Sequence, residues 1–571
     1  MSEKSIGFLG LLDGMNGGVS PALISDRSYA RGVSVSSRGG LLRTRPAFRY
    51  QAVVGSGMFQ GAGRWSLNSG DRIVSVISGR VRVTKMSDMT TQDVGLLLNA
   101  SAQCFFAQAD RYLWIQDGSS TPVVLQETDA GAAETVPHAI PAGTIMQFVH
   151  GRMHMVPKVV PGTSVPGGPF FISSDVSLPD DPANVLNFTE TEYWNEGGAI
   201  GLPSETGFIR GMAAYRNAAT GTGVGGLIVL AREGLAAFDM SVERTNWKNL
   251  NLGQVLFFGA GTDSPWSVAS INNDVGYRSQ DGLRFLRYTA SALAGSGGVL
   301  SNIPQSNEVS TFLDLDEEVD LPFVSSALAD NRWLVTVAGS GDRTFRGLIS
   351  LDFAQVHGFR GADEPSYDGV YTGLSFLQVL SVRIGRFIRA VVLHKSGGDV
   401  VLSSVDSSAA RDSSRSGEAS IKSRVITRVY DYGGIDLKRP QYAELWVSDV
   451  RVPTTVSVWW RPSGYPLWSK AGEQLLDVPE GSLPQVRRKV RIPFPHGADF
   501  CNPSTGESLL VSQDIQFAIE FTGYMQIDKF LVLAELTTDT IPSPCSTGAR
   551  ELVPGPAAGS VFDDFDYSVE A

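Results

Sequence analysis

FVSSALADNRWLVTVAGSGDRTFRGLISLDF, residues 323–353, holds three apolar runs separated by two short polar turns. Side chains alternate between faces, with Phe323, Ser325 and Ala327 set against Leu334, Val335 and Val337 across the turn ADNR. Aromatic and β-branched residues fill the runs. Asp, Asn and Gly fill the turns, where they tolerate the backbone angles a hairpin needs. The stretch therefore predicts three consecutive antiparallel strands.

The same pattern recurs, as a rhythm rather than as identity, in DRIVSVISGRVRVTKM (71–86), QCFFAQADRYLWIQDGSSTPVVLQ (103–126) and TIMQFVHGRMHMVPKVV (144–160). It returns at 209–240, 266–288 and 376–406. Units of three or four strands at intervals of roughly 40–60 residues mark a β-propeller. The expectation is an all-β chain whose residues 61–410 form six or seven irregular blades. A β-sandwich or β-solenoid with irregular loops is the competing reading. After the serine-rich stretch 406–420, expected to be an exposed linker, about six turn-separated runs predict a β-sandwich over 421–540. Residues 1–60 carry no core of their own and are expected to form an arm that packs against another domain or subunit. The acidic, Pro/Gly-rich 541–571 reads as an extended tail.

Composition sets wider bounds. The 571 residues are 42% hydrophobic and 19% charged, with 62 glycines and 29 prolines, a balance that favours short elements and turns. No apolar run approaches the ~20 residues of a membrane-spanning helix, and the start MSEKSIGFLG does not read as a signal peptide. Cys104, Cys501 and Cys545 are far apart and predict buried thiols rather than a disulfide framework or a zinc site. A formal net charge of −12 argues against a basic nucleic-acid groove.

Sites of chemistry are sparse. GTGVGG (221–226) precedes a strand-like run rather than a helix, so it reads as a hairpin loop and not as a dinucleotide fingerprint. The histidines of HGRMH (150–154) lie four apart, about 13 Å on a strand, which is too far to share a metal. DLDEEVD (314–320) lacks the glycine and the final glutamate of a calcium loop and reads as a solvated acidic turn. FTETEYWNEGG (188–198) groups three glutamates with aromatics. It is the place to look for the paired carboxylates of a glycosidase-type propeller, the main enzymatic alternative. With no nucleophile motif, the expectation is no enzyme, no cofactor and no metal.

Two patches are candidates for contact with partners. VWWRPSGYPLW (458–468) gathers Trp459, Trp460, Arg461, Tyr465 and Trp468, a set shared by interfaces and by sandwich cores. Residues 1–50 carry net +4 in a chain whose remaining residues carry −16. Their focus is SSRGGLLRTRPAFRY (36–50), with Arg38, Arg43, Arg45 and Arg49. On a strand, Arg43, Arg45 and Arg49 share one face, and Pro46 confines that strand to an edge or ends it. The expectation is an assembly interface in which Arg38, Arg43, Arg45, Pro46 and Arg49 meet an acidic neighbour.

NGGVSPALISDRSYARGVSVSSRGGLLRTRPAFRY (16–50) runs N-x-G-V-S-P, then an acid–arginine turn, then a G-G-L-x-x-R-P element. This order resembles the N-terminus of the tail nozzle, or tail tubular protein B, of short-tailed bacteriophages. GLIVLAREGLAAFDM and the following run to GLRFLRY (226–288) are also similar to that family, and the two stretches cover about a fifth of the chain. The resemblance implies a non-enzymatic virion protein. It implies a homohexameric ring below the portal-adaptor (head-to-tail connector) protein, with propellers outward around a DNA channel. Such a ring would contact tail fibre or spike proteins, retain DNA and conduct it at ejection without sequence-specific binding. This chain is shorter than many such nozzles, which leaves less sequence for tip or fibre-docking insertions. The alternatives are a glycan-binding or glycan-cleaving tail-associated protein and a cytosolic propeller scaffold.

Overall fold

The computed structural model describes residues 3–537 apart from 97, 190–198, 216–225, 250–252, 260, 272–273, 287–303, 354–364, 435, 464, 466–467, 479–486 and 495–511. The FVSSALADNR stretch forms the strands Ser326–Ala329, Arg332–Gly339 and Phe345–Asp352, paired antiparallel in that order. Its first turn sets Asp330 and Asn331 at φ 52° and 55°. Two left-handed residues in a two-residue loop match the right-handed twist of the flanking strands.

Blade 1 is Phe59–Leu67, Gly70–Ile77, Arg80–Lys85 and Thr91–Leu96, each strand paired with the next. Blades 2, 3 and 4 repeat this four-strand meander from Phe105, Gly143 and Ile209, and blade 5 has three described strands from Ala269. The first strands pack in a closed circle. Phe59–Leu67 touches Phe105–Ala109, and contact passes through Gly143–Val149, Ile209–Tyr215, Ala269–Ile271 and Ser326–Ala329 to Ser375–Ile384, which returns to Phe59–Leu67. This is a seven-bladed β-propeller among the described residues.

The core is distributed between blades. Trp65, Val74, Val76 and Val81 of blade 1 pack against Leu113, Ile115, Val123 and Leu125 of blade 2, all nearly inaccessible to solvent. Separate clusters join blades 2 and 3, 3 and 4, 4 and 5, and 7 and 1. Each fully buried aliphatic side chain contributes roughly 1.5–3 kcal/mol, so every blade depends on both neighbours.

Residues 3–60 pack against other parts of the chain, and the last of them belong to the propeller, which was expected to begin at 61. Ala47–Ser56 forms the outermost strand of blade 7, beyond Ser375–Ile384, Phe387–Ser396 and Asp399–Asp406. The circle is thus closed by pairing the two ends of the propeller sequence. Upstream of it, Glu3–Phe8 and Leu42–Thr44 both pair with Gln526–Thr537. Arg31–Val33 pairs with Lys422–Tyr430 on one side and with Ser366–Tyr371, the outer strand of blade 6, on the other.

The C-terminal domain is a two-sheet sandwich. One sheet centres on Leu437–Ser448 and Gln526–Thr537, the other on Lys422–Tyr430, Ile515–Thr522 and Thr454–Pro462. Phe517 of the second sheet meets Phe530 of the first edge to face, with centroids 5.8 Å apart. A single buried cluster runs from this interior into blades 5 and 6 through Tyr29, Val33 and Val35. Where Arg31–Val33 crosses blade 6, Gly369 has φ 109°, and a Cβ there would lie 2.2 Å from the Gly32 carbonyl oxygen. Only glycine permits that approach.

The serine-rich 406–420 is also more ordered than expected. It contains the strands Arg411–Ser413 and Glu418–Ser420, and the first lies beside Ala47–Ser56. The tail 541–571, with Cys545, lies outside the described residues, as does Cys501.

Candidate functional site

The four arginines of SSRGGLLRTRPAFRY are met by groups of their own chain. Arg45 is buried and grips Asp412 with both guanidinium nitrogens, Nη1 to Oδ1 at 2.9 Å and Nη2 to Oδ2 at 2.6 Å. Nη1 also donates to the Pro46 carbonyl and Nη2 to that of Thr372, both at 2.8 Å, while Nε donates to Ser34 Oγ at 3.3 Å. All five donors of the guanidinium are satisfied, the condition under which a buried charge is tolerated. The Phe48 backbone N–H adds a third hydrogen bond to Asp412, and the Phe48 ring lies 4.1 Å from the Arg45 guanidinium carbon. One ion pair therefore joins the N-terminal segment, the turn between blades 6 and 7, and the serine-rich stretch.

A second cluster lies where the N-terminal segment crosses blade 6. Arg38 binds Asp352 through Nε at 2.6 Å and Nη2 at 2.9 Å, and reaches Asp330 through Nη1 at 2.8 Å. Arg332 contacts Asp330, Asp368 and Ser36 Oγ at 3.0, 3.3 and 2.8 Å. Asp368 is fully buried and accepts hydrogen bonds from the Ser37 backbone N–H, Ser350 Oγ and Tyr371 OH. Burial, and then the Asp368 charge, pushes the Tyr371 and Tyr29 phenols well above their ordinary range. Burial opposes the charge on Arg332, but Tyr371, Asp368, Asp352 and Asp330 more than reverse that effect and raise its pKa. The cluster fixes geometry. It is a fastening.

This arrangement corrects the expected assembly face. Arg45 is inaccessible, so no neighbour can touch it, and Pro46 is buried apart from a face that lines a surface pocket. Arg43 donates to the Arg38 carbonyl at 2.8 Å, and Arg49 pairs with Glu418 at 2.7 Å near the surface. Alternation sets Leu42 and Thr44 on the face opposite Arg43, and both are buried. It misplaces Arg45, because Pro46 ends one strand at Thr44 and the next begins only at Ala47.

The aromatic patch divides. Trp460 is fully buried and meets Phe494 at 6.1 Å, and Trp468 is buried with the Arg461 guanidinium 4.4 Å from its ring. Arg461 also donates to Gln516 Oε1. Trp459, Arg461 and Tyr465 are half-buried, so these three retain a face for a partner.

The remaining motifs have structural placements. His154 is fully buried in blade 3, with Nδ1 2.7 Å from Ser173 Oγ, and burial pulls its pKa down to about 3. His150 sits in the hairpin turn at φ 50°. Within DLDEEVD, which was expected to be solvated, Asp316 pairs with Arg278 at 3.1 Å, and the buried Asp320 accepts the Gly341 N–H at 2.8 Å. Burial raises the Asp316 pKa against the opposing effect of Arg278. Cys104 is buried and its thiol is pushed far up by burial. Residues 221–225 of GTGVGG and 190–198 of the glutamate-rich stretch, with all three of its glutamates, fall outside the described residues. Among the described residues no group of three or more His, Cys, Asp or Glu side chains could hold a metal, and no helix is long and apolar enough to cross a membrane.

Asp330, Asp352, Asp368 and Asp412 are the residues that sequence reading missed. Asp352 and Asp368 lie 314 and 331 positions from the groups they bind in the N-terminal segment, Arg38 and Ser37. No local pattern marks them.

No family model and no curated protein matches this chain. Among solved structures, BBS1N in complex with ARL6DN aligns at 12% identity and TM-score 0.37, covering 64% of this chain and 99% of that one. The Cps50 (Swd1) β-propeller domain of Myceliophteria thermophila aligns at 11% and 0.36, covering 62% and 98%. YCF48 bound to D1 peptide aligns at 10% and 0.33, covering 63% and 97%. The closed circle of seven inner strands, rather than these likenesses, defines the fold.

Proposed function

We propose that this chain is a non-enzymatic structural protein of a virion, the nozzle subunit of a short phage tail. In this reading six copies form a ring below the portal-adaptor protein. The ring retains packaged DNA and conducts it at ejection, and tail fibres or spikes dock on its outside. The observation that carries the reading is the route of residues 16–50, the segment that resembles the nozzle N-terminus. It ties the sandwich to blade 6 by strand pairing and to the serine-rich stretch through Arg45 and Asp412. A subunit that bears load between a ring and its outward propellers needs such a rigid joint. The net −16 outside residues 1–50 supports passage of DNA without adhesion, because phosphate backbones are held by cationic surfaces.

Electron microscopy of the purified protein, and of the particle that contains it, tests the reading. Sixfold rings with peripheral propellers are expected. Monomers in both settings would remove it. Open reading frames for a portal and an adaptor beside this one are the expected genetic context.

A further inference from the structure

The strands Ser375–Ile384 and Phe387–Ser396 of blade 7 meet at a tip reading Arg383-Ile384-Gly385-Arg386-Phe387-Ile388-Arg389. Gly385, at φ 62°, makes the two-residue turn possible. Phe387 is 60% exposed and Ile388 49%, and Arg383 and Arg386 are exposed beside them. Nearby acids are already engaged. Asp71 pairs with Arg64 at 2.7 Å and accepts the Arg383 backbone N–H, and Asp406 binds Ser408 and lies 3.9 Å from Arg389. Asp330 is held by Arg38 and Arg332. Among the described residues, the side chains of Arg383 and Arg386 have no ion-pair partner. Next to the tip lies a pocket of about 350 Å³ whose apolar lining includes Phe387, Ile388, Val405 and Pro46. Unpaired cations and exposed aromatic surface beside a partly apolar pocket whose own aspartates, Asp330 and Asp406, are already engaged call for an acidic ligand with aromatic anchors.

The chain contains one. Residues 561–571, VFDDFDYSVEA, carry Phe562, Phe565 and Tyr567 among Asp563, Asp564, Asp566 and Glu570, with no basic residue. The reach is sufficient. The strand Gln526–Thr537 starts beside Tyr524, whose ring lies 4.2 Å from the guanidinium carbon of Arg451. Arg451 in turn donates to the carbonyl of Ser408, which lines the pocket. The strand is about 40 Å long, so its far end lies within roughly 55 Å of the pocket, and the residues from 538 to 561 span up to about 80 Å when extended.

We propose that the tip 383–389 and its pocket dock the acidic aromatic segment 561–571 of this chain, with an aromatic ring in the pocket and its carboxylates on Arg383 and Arg386. The proposal stands independently of the nozzle reading. A photo-reactive phenylalanine analogue in place of Phe387, in the full chain, should cross-link to residues 555–571, mapped by mass spectrometry. R383E/R386E should lower the yield about tenfold while leaving thermal unfolding unchanged, and D563R/D564R should lower it equally. Combining the two reversals should restore it. Cross-links confined to other segments, or no restoration in the combined variant, would overturn the proposal.

Discussion

Blade 6 and the segment that crosses it obey different rules. Within the blade, Ala329 pairs with Arg332 across two residues, and each strand finds its partner in the next one along the chain. In the crossing segment, Arg45 finds Asp412 across 367 positions, and Val33 lies beside Val370. The blade is held by apolar area that accumulates strand by strand. The crossing adds to its buried Tyr29, Val33 and Val35 a few charged groups whose removal leaves a partner buried and unsatisfied. Stability in the first region is diffuse, and in the second it is concentrated.

The sharpest break of this contrast is Asp412→Ala, which strands the Arg45 guanidinium in the interior. A loss of about 3–5 kcal/mol is expected in urea unfolding followed by tryptophan fluorescence. A loss below about 1 kcal/mol would mean that the joint is not concentrated there.

Next comes pH. His154 belongs to the diffuse region and is held neutral by burial, with a pKa of about 3. Between that value and the ordinary imidazole range the unfolded chain binds a proton that the folded chain refuses. Stability therefore falls as pH drops from about 6.5, by roughly 1.4 kcal/mol per unit for this one group. His154→Gln should show a shallower decline than the parent between pH 6.5 and 4.5. Identical slopes would place the titration elsewhere.

Ile228→Val removes one methylene from the interface between blades 4 and 5 and should cost about 0.5–1.5 kcal/mol. The smallest effect is expected for Arg49→Ala. Its Glu418 partner is 48% exposed, and such pairs contribute at most about 1 kcal/mol. If Arg49→Ala matched Asp412→Ala in cost, burial would not be what separates the two pairs.

The same contrast explains what could be read in advance. Strand alternation, the turn Asp330–Asn331 and the spacing of the blades are local, so they predict a propeller and a sandwich without any knowledge of contacts. The sign of the charge around Arg45 was also legible. Its direction was not, because an arginine on a strand has the same sequence whether it faces water or Asp412. Periodicity assigns faces only while one strand continues, and Pro46 breaks the strand at the residue that matters. Trp460 and Trp468 illustrate a related limit, since tryptophans beside an arginine look alike in a core and at an interface.

The closure of blade 7 carries a consequence for biosynthesis. Ala47–Ser56 leaves the ribosome well before its partner Asp399–Asp406, about 340 residues later. At ordinary elongation rates of about 5–20 residues per second, the interval is roughly 20–70 s. For that time the nascent chain displays an uncapped strand edge, the feature most prone to pair with another copy. Dense polysomes making this protein therefore carry a risk of domain exchange, in which the early strand of one chain completes the last blade of another.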